Sequence, residues 1–320
     1  MKDLNLRRFR YFFEVYQRGS ISAASESLNT SPSVVTRQIQ LLEDELQTVL
    51  FERHSRGLRP TESARHLSDF WNDLHARYEQ FEDRLSALRG LQVGAVHLAV
   101  SEGYVPDLSE HVIRKFNAQY PGVEIRVDVM PVGHIVDSVA DGRAHIGIAF
   151  NPEPRPDIEV VYSVCQPAEL LIRADHPLAR RKTSVSIAEL FTCKLALMPV
   201  ENGLGQLLHT VAHDEKVELR PALISNSIAM IREFVLGSSG AALISGFEQM
   251  RRKGDHTLVA LPIDHPLLLN PRAALIVKRG RPLGVAAEYM LTSIPQTMKL
   301  FTKVLAPTRS TRHRVALRKD

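Results

Sequence analysis

Only two cysteines, Cys165 and Cys193, occur in 320 residues, too few for a disulfide framework. No run of about eighteen apolar residues is present, and the N-terminus lacks the apolar stretch of a signal peptide, so no membrane contact is expected. A reduced, cytoplasmic setting fits these absences. No internal repeat of fixed period appears. Charge of one sign is also missing: the net charge is only +4, with 44% hydrophobic and 24% charged residues, the profile of an ordinary soluble globular protein. The length is too great for one small core and suggests two or three domains.

The charge that exists is unevenly placed. Residues 1–60 carry nine Lys/Arg against seven Asp/Glu, and residues 303–320 carry six against one. Residues 91–302 carry twenty-one against twenty-two, so affinity for nucleic acid belongs to the N-terminal part, with the basic tail as a second contributor. The tail from residue 303 reads as disordered.

Leu6, Phe9, Phe12, Phe13 and Tyr16 recur at three- and four-residue spacing, which predicts an amphipathic helix over 4–18 ended by Gly19. Two short helices meeting at a turn follow over Ile21 to Arg37. Ser22 is the expected N-cap of the first, and small Ala23 and Ala24 let its neighbour approach. Asn29 tolerates the left-handed conformation that ends a helix, and Ser31-Pro32 reads as N-cap and first position of the next one. On that second helix Val35, Ile39 and Leu42 share an inward face, leaving Ser33, Thr36, Arg37 and Gln40 outward. A helix pair of this kind places side chains in the major groove of DNA. Arg37 could bond bidentately to a guanine edge, a contact worth roughly 1–3 kcal/mol of discrimination; the bland alternative is a surface ion pair with a nearby carboxylate.

Leu50 to Arg59 has two short arms around a turn at Arg56-Gly57, a small hairpin bearing Arg53, Arg56 and Arg59. Such a wing would lie on phosphates, which position the protein without reading sequence. Thr61 can cap the next helix, where Leu67, Trp71, Leu74, Tyr78, Phe81, Leu85 and Leu88 alternate four- and three-residue steps. That heptad seam over residues 61–90 favours a coiled-coil dimer over packing on its own domain. Arg89-Gly90 marks its end. From Ala95 to about residue 302, strands alternate with helices, implying parallel sheets in two α/β lobes. The chain is expected to cross between the lobes near 163–167 and again near 261–266.

At this point the chain resembles the LysR-type transcriptional regulators, over residues 4 to about 302. The resemblance is carried by Phe12-Phe13-Glu14-Val15, Gly19 to Ala24, Ser31 to Ile39, Leu41-Leu42-Glu43 and Leu50-Phe51-Glu52-Arg53. Further on it is carried by Tyr120 to Glu124, Asp141 to Ile148 and His176-Pro177-Leu178-Ala179. It implies a winged helix-turn-helix over 1–60, a dimerising linker helix over 61–90, and a two-lobed effector domain like a periplasmic binding protein over 91–302. It also implies binding to double-stranded promoter DNA as a dimer or tetramer, a small-molecule effector, contact with RNA polymerase, and no cofactor or metal. Matched residue by residue, the DNA set is Ser22, Ser31, Ser33, Thr36, Arg37 and Gln38, with Arg53 and Arg56 on the wing. Pro32 stands where many members have a base-reading Gln, which shifts base reading toward Ser33, Thr36 and Arg37.

Ligands of α/β domains sit beyond the C-terminal ends of strands, where helix N-termini present unpaired N–H groups. The resemblance accordingly implies an effector set of Ser101, Glu102, Gly103, Phe150, Asn202 and Asn226, although each such position could equally be a plain helix cap. Glu102 and Glu201 would compete with an anionic effector for the same donors, so a simple dicarboxylate is not expected. Enzymatic readings are thin. His209 and His213 have zinc-binding spacing but no evident third ligand, and Gly237 to Gly240 misses the spacing of a nucleophile elbow. Cys165 reads as a buried small hydrophobe. Three classes remain: a ligand-responsive DNA-binding regulator, a regulator whose C-terminal lobes serve assembly only, and an enzyme with a DNA-binding appendage. No convergence of catalytic groups supports the third.

Overall fold

The computed structural model describes residues 5–54, 57–88, 94–181, 183–247 and 256–302. Arg56, Arg89-Gly90 and the basic tail lie outside the described residues, as does the side chain of Arg53. The chain divides into two compact units, Met1–Glu82 and Asp83–Asp320.

The first unit opens with α1 (Leu6–Arg18), which starts at Asn5, whose side chain accepts from the Arg7 N–H, and stops at Gly19 in the left-handed region (φ 64°). α2 (Ile21–Ser27) and α3 (Pro32–Leu46) follow, separated by Asn29 at φ 50°. The cap of α2 is Ser20, not Ser22: the Ser20 hydroxyl accepts from the Ala23 N–H, while Ser22 sits exposed one residue inside the helix. The core that fixes these helices is the aromatic face expected of α1, Phe9 and Phe12, closed by Val15, Ala24, Val35, Ile39, Leu42 and Leu50. Truncating a buried Leu or Phe in such a core costs about 2–5 kcal/mol, enough to unfold a small unit.

β1 (Phe51–His54) and β2 (Gly57–Pro60) pair antiparallel, with Arg53 opposite Leu58. This hairpin is tied down at both ends. The Leu50 and Phe51 N–H groups donate to Glu43 Oε1 at 2.7 and 3.3 Å, and the Leu58 N–H donates to the Gly19 carbonyl at 3.4 Å. α4 (Glu62–Leu88) begins at Thr61, whose hydroxyl oxygen accepts from the Ala64 N–H, and its 27 residues give a rod about 40 Å long.

The second unit holds two sheets. In the first, β3 (Gly94–Val100) pairs parallel with both β4 (Val123–Val129) and β5 (Ile146–Phe150). β13 (Arg272–Lys278) then runs antiparallel to β5, and β6 (Ile158–Cys165) antiparallel to β13. In the second sheet β10 (Leu223–Ile224), β9 (Leu195–Leu197) and β11 (Ala241–Ser245) are parallel. β7 (Ala168–Arg173) is antiparallel to β11 and to β12 (Leu258–Asp264), which pairs parallel with β8 (Val185–Ser186). The sheets are therefore mixed, correcting the all-parallel expectation. The stretches bordering the two crossings are themselves strands, β6 with β7 and β12 with β13; β13 and β7 run against the parallel set of their sheets, while β6 and β12 run with it.

The crossings narrow to residues 166–167 and 265–271. They touch: the Gln166 N–H donates to the Pro271 carbonyl at 2.8 Å. One apolar cluster runs through both sheets, from Leu98, Ile146 and Leu275 to Leu170, Ile172 and Leu243. Helices cover the sheets: α5 (Val105–Leu108) and α6 (Arg114–Gln119) within one helical run, α7 (Val132–Ala140), α8 (Ile187–Thr192), α9 (Gly203–Asp214), α10 (Ile228–Gly237) and a late helix, Val285–Thr297. Among the described residues no helix is long and apolar enough to cross a membrane.

Candidate functional site

Two places bring the sequence-derived residues together, one in each unit. In the first unit, Ser31 caps α3 by accepting from the Val34 N–H, and Pro32 occupies the first helical position, where its missing N–H costs nothing. The burial of Val35, Ile39 and Leu42 then dictates which side faces out. Ser31, Ser33, Arg37 and Gln40 are exposed, and Thr36 and Gln38 half-buried. Ser31 Oγ and Ser33 Oγ are 2.9 Å apart, and the Thr36 hydroxyl donates to the Pro32 carbonyl at 2.9 Å. Thr36 is thus left with acceptor capacity only. Arg37 makes no ion pair among the described residues, so the surface-pair alternative has no partner.

The residue that sequence reasoning missed here is Glu43. It belongs to the third helix, and its carboxylate accepts two N–H groups at the start of the wing, locking wing to helix. An acid three residues before the expected end of a helix carries no such signal in sequence, since an exposed helical Glu looks the same.

In the second unit a cleft of about 610 Å³, counting the space open to solvent, lies between the two sheets. Ser101, Glu102, Gly103, Phe150 and Asn202 all line it, as placed by the ends of β3 and β5 and the start of α9. Asn226 does not: it is exposed and outside the lining, because the β10–α10 connection presents Ile228 to the cleft instead. Glu201 is likewise exposed and outside the lining, so the expected pair of acids reduces to Glu102.

Glu102 spans the cleft. Both its carboxylate oxygens lie 3.1 Å from the Ile228 N–H, the first helical N–H of α10, so an acid of one lobe caps a helix of the other. Burial raises the pKa of Glu102, opposed by that N–H bond, which favours the anion. Beside it, Tyr104 is buried and its hydroxyl donates to Gln166 Oε1 at 2.7 Å; burial pushes the phenol well above its ordinary pKa. The Ser245 hydroxyl donates toward the Gln166 and Pro167 carbonyls at 3.2 and 3.1 Å. Two cleft residues therefore rest directly on the first crossing. Gly203 lies so close to Phe150 that an added Cβ would stand 2.7 Å from the Phe150 carbonyl oxygen, so a side chain there would push the lobes apart.

Outside these places the other candidate chemistry disperses. His209 and His213 are both exposed on α9. Cys165 is exposed, not buried: it ends β6 with its thiol donating to the Leu269 carbonyl at 3.3 Å. Cys193 is half-buried, and burial raises its thiol pKa.

Comparison with known proteins adds relatives to this geometry. Residues 6–65 match the profile of the bacterial regulatory helix-turn-helix protein, lysR family, and residues 89–299 that of the LysR substrate binding domain. The HTH-type transcriptional activator CmpR of Synechocystis is 21% identical, over 91% of this chain and 95% of its own. The uncharacterized HTH-type transcriptional regulator YbhD of Escherichia coli is 26% identical, over 88% of each. Among solved structures, a full-length OxyR variant from Pseudomonas aeruginosa superposes with a TM-score of 0.65 at 19% identity, covering 93% of this chain and 96% of that one. CbnR complexed with its target DNA gives 0.51 at 18% identity, covering 92% and 99%.

Proposed function

The chain belongs to the LysR family of bacterial helix-turn-helix regulators, and from that premise we propose that it grips promoter DNA as an oligomer and changes that grip when a small molecule fills the cleft. It is a DNA-binding transcriptional regulator, not an enzyme. The observation that carries the DNA contact is the exposed first turn and a half of α3, with Ser31, Ser33 and Arg37 exposed beside a hairpin anchored through Glu43. A helix presented this way enters the major groove N-terminus first, while the wing bearing Arg53 lies along phosphates. CbnR, of similar fold, has been solved in complex with its target DNA, which supports the reading of this chain as a DNA binder.

Response to an effector rests on Glu102. A side chain bridging two lobes across a mainly apolar cleft makes closure adjustable, because a ligand that competes for or adds to that bridge favours one lobe arrangement over another. Self-association rests on the exposed apolar residues Tyr78, Phe81 and Leu85 of α4. Docking beside a promoter would bring the protein within reach of RNA polymerase, and its workplace would be the cytoplasm, with the DNA.

The test is recovery of bound genomic fragments by the purified protein, followed by fluorescence anisotropy on one of them across a small-molecule library. Sequence-specific binding that shifts at least fivefold with a compound fits the proposal. Specific binding that no cleft-binding compound alters would leave a regulator whose C-terminal lobes serve assembly only.

A further inference from the structure

Resting on the reading of this cleft as the effector site, we propose that the effector is an apolar molecule carrying one cationic amine, paired with Glu102. The lining is mainly hydrocarbon, with Val132, Phe150, Met198, Leu204, Ile231 and Leu243 around it. Among the described residues no Lys, Arg or His lines it, whereas one carboxylate does. An anionic ligand would lose its hydration to apolar walls without a counter-charge, the costliest form of burial.

Of the two long helices whose N-termini reach the cleft, α9 has no side-chain cap and α10 has its donor taken. Glu102 places both oxygens on the Ile228 N–H, so the N-terminus of α10 is already capped by an internal carboxylate. That carboxylate is itself under-supplied. Ionised, it can accept about four hydrogen bonds, and among the described residues the Ile228 N–H is its only donor. The neighbouring hydroxyls do not make up the difference: Ser245 donates to backbone carbonyls, and among the described residues Ser101 makes no hydrogen bond to Glu102. A half-buried acid with spare acceptor sites, facing hydrocarbon and no base, calls for a ligand that brings both donors and positive charge. An ammonium supplies both, and charge-assisted hydrogen bonds are roughly twice as strong as neutral ones. A neutral alcohol would supply one donor and leave the charge unanswered.

The experiment is calorimetry on the full chain with two matched series, 2-phenylethylamine, 2-phenylethanol and phenylacetate, then hexylamine, 1-hexanol and hexanoate. The amine of each series is expected to bind about tenfold or more tightly than its alcohol, and the carboxylate not at all. In Glu102→Gln the amide oxygen can still accept from Ile228, so the lobes stay bridged. There the preference of amine over alcohol should collapse to within about threefold, with the thermal midpoint of the variant as control for folding. Should the variant fail to fold, the ranking on the wild-type chain decides alone. Equal binding of alcohol and amine, tightest binding by a carboxylate, or binding by no member of either series overturns the proposal. Affinity for a promoter fragment, read in parallel, separates the two readings. Amines that bind without altering it keep the ligand class and remove the regulatory role. Carboxylates that alter it do the reverse.

Discussion

The serines at residues 20, 22, 25 and 31 show how far a single position can be read. Ser31 before Pro32 was legible, because proline at the first helical position leaves only one place for the cap. Ser22, directly before the small pair Ala23 and Ala24, is the cap the sequence suggests for α2. The structure chooses Ser20, and Ser22 offers only its carbonyl, which accepts from the Ser25 hydroxyl at 2.8 Å. Ser20→Ala is therefore expected to lower stability by about 0.5–1 kcal/mol, and Ser22→Ala to leave it nearly unchanged, in chemical denaturation of the two variants. The same scale separates the two arginines. Arg37→Ala should relax sequence preference by about 1–3 kcal/mol at one base pair. Arg53→Ala should weaken binding to all sequences and reduce the slope of log affinity against log salt by about one. Anisotropy titrations over a salt series against cognate and scrambled DNA distinguish these, and unaltered cognate affinity in both variants would contradict the docking. Thr36, its hydroxyl proton committed to Pro32, can only accept, which leaves Arg37 as the charged donor toward guanine among the described outward residues of α3.

Among the elements, α4 is the instructive one. Its heptad spacing is a single pattern in sequence, yet its two halves do different things. Trp71 stacks on Phe9 at 5.7 Å and lies 6.5 Å from Phe13, and Leu67 packs on the same cluster, so the first half completes the core of the first unit. Tyr78 and Phe81 are 55% and 56% exposed, so the seam residues of this second half are open for a partner. Periodicity reports that a stripe is apolar and cannot say what covers it, which is why the seam looked uniform. Phe81→Glu combined with Leu85→Glu is expected to halve the mass seen by light scattering after size exclusion while leaving the helix-turn-helix folded. An unchanged mass would place self-association elsewhere. The equivalent double change at Leu67 and Trp71 should instead unfold the first unit, because it buries charge against Phe9.

Over the whole chain, the alternation of strands and helices was legible and the direction of the strands was not. β6 has the burial sequence buried, three exposed, two intermediate, buried, exposed, without a period of two, and β12 contains Pro262, which argues against a strand interior. Neither stands among the strands expected from the sequence. They matter because they flank the crossings, and the first crossing touches the cleft: Tyr104 lines the cleft and its hydroxyl holds the buried Gln166 side chain. If occupancy of the cleft changes the grip on DNA by some factor, linkage requires DNA to change the affinity for the cleft ligand by the same factor, typically about 5–150-fold. Calorimetry of the ligand with and without saturating promoter DNA should therefore return the factor that anisotropy gives for DNA with and without ligand. Tyr104→Phe keeps the ring against the ligand and removes only the bond to Gln166. It should leave ligand affinity within about threefold and shrink both coupling factors together, since it loosens the crossing rather than the cleft. It should also cost about 1–3 kcal/mol of stability, because the Gln166 amide oxygen is left buried without its donor. Coupling factors that survive the substitution intact would show that the signal leaves the cleft by another route.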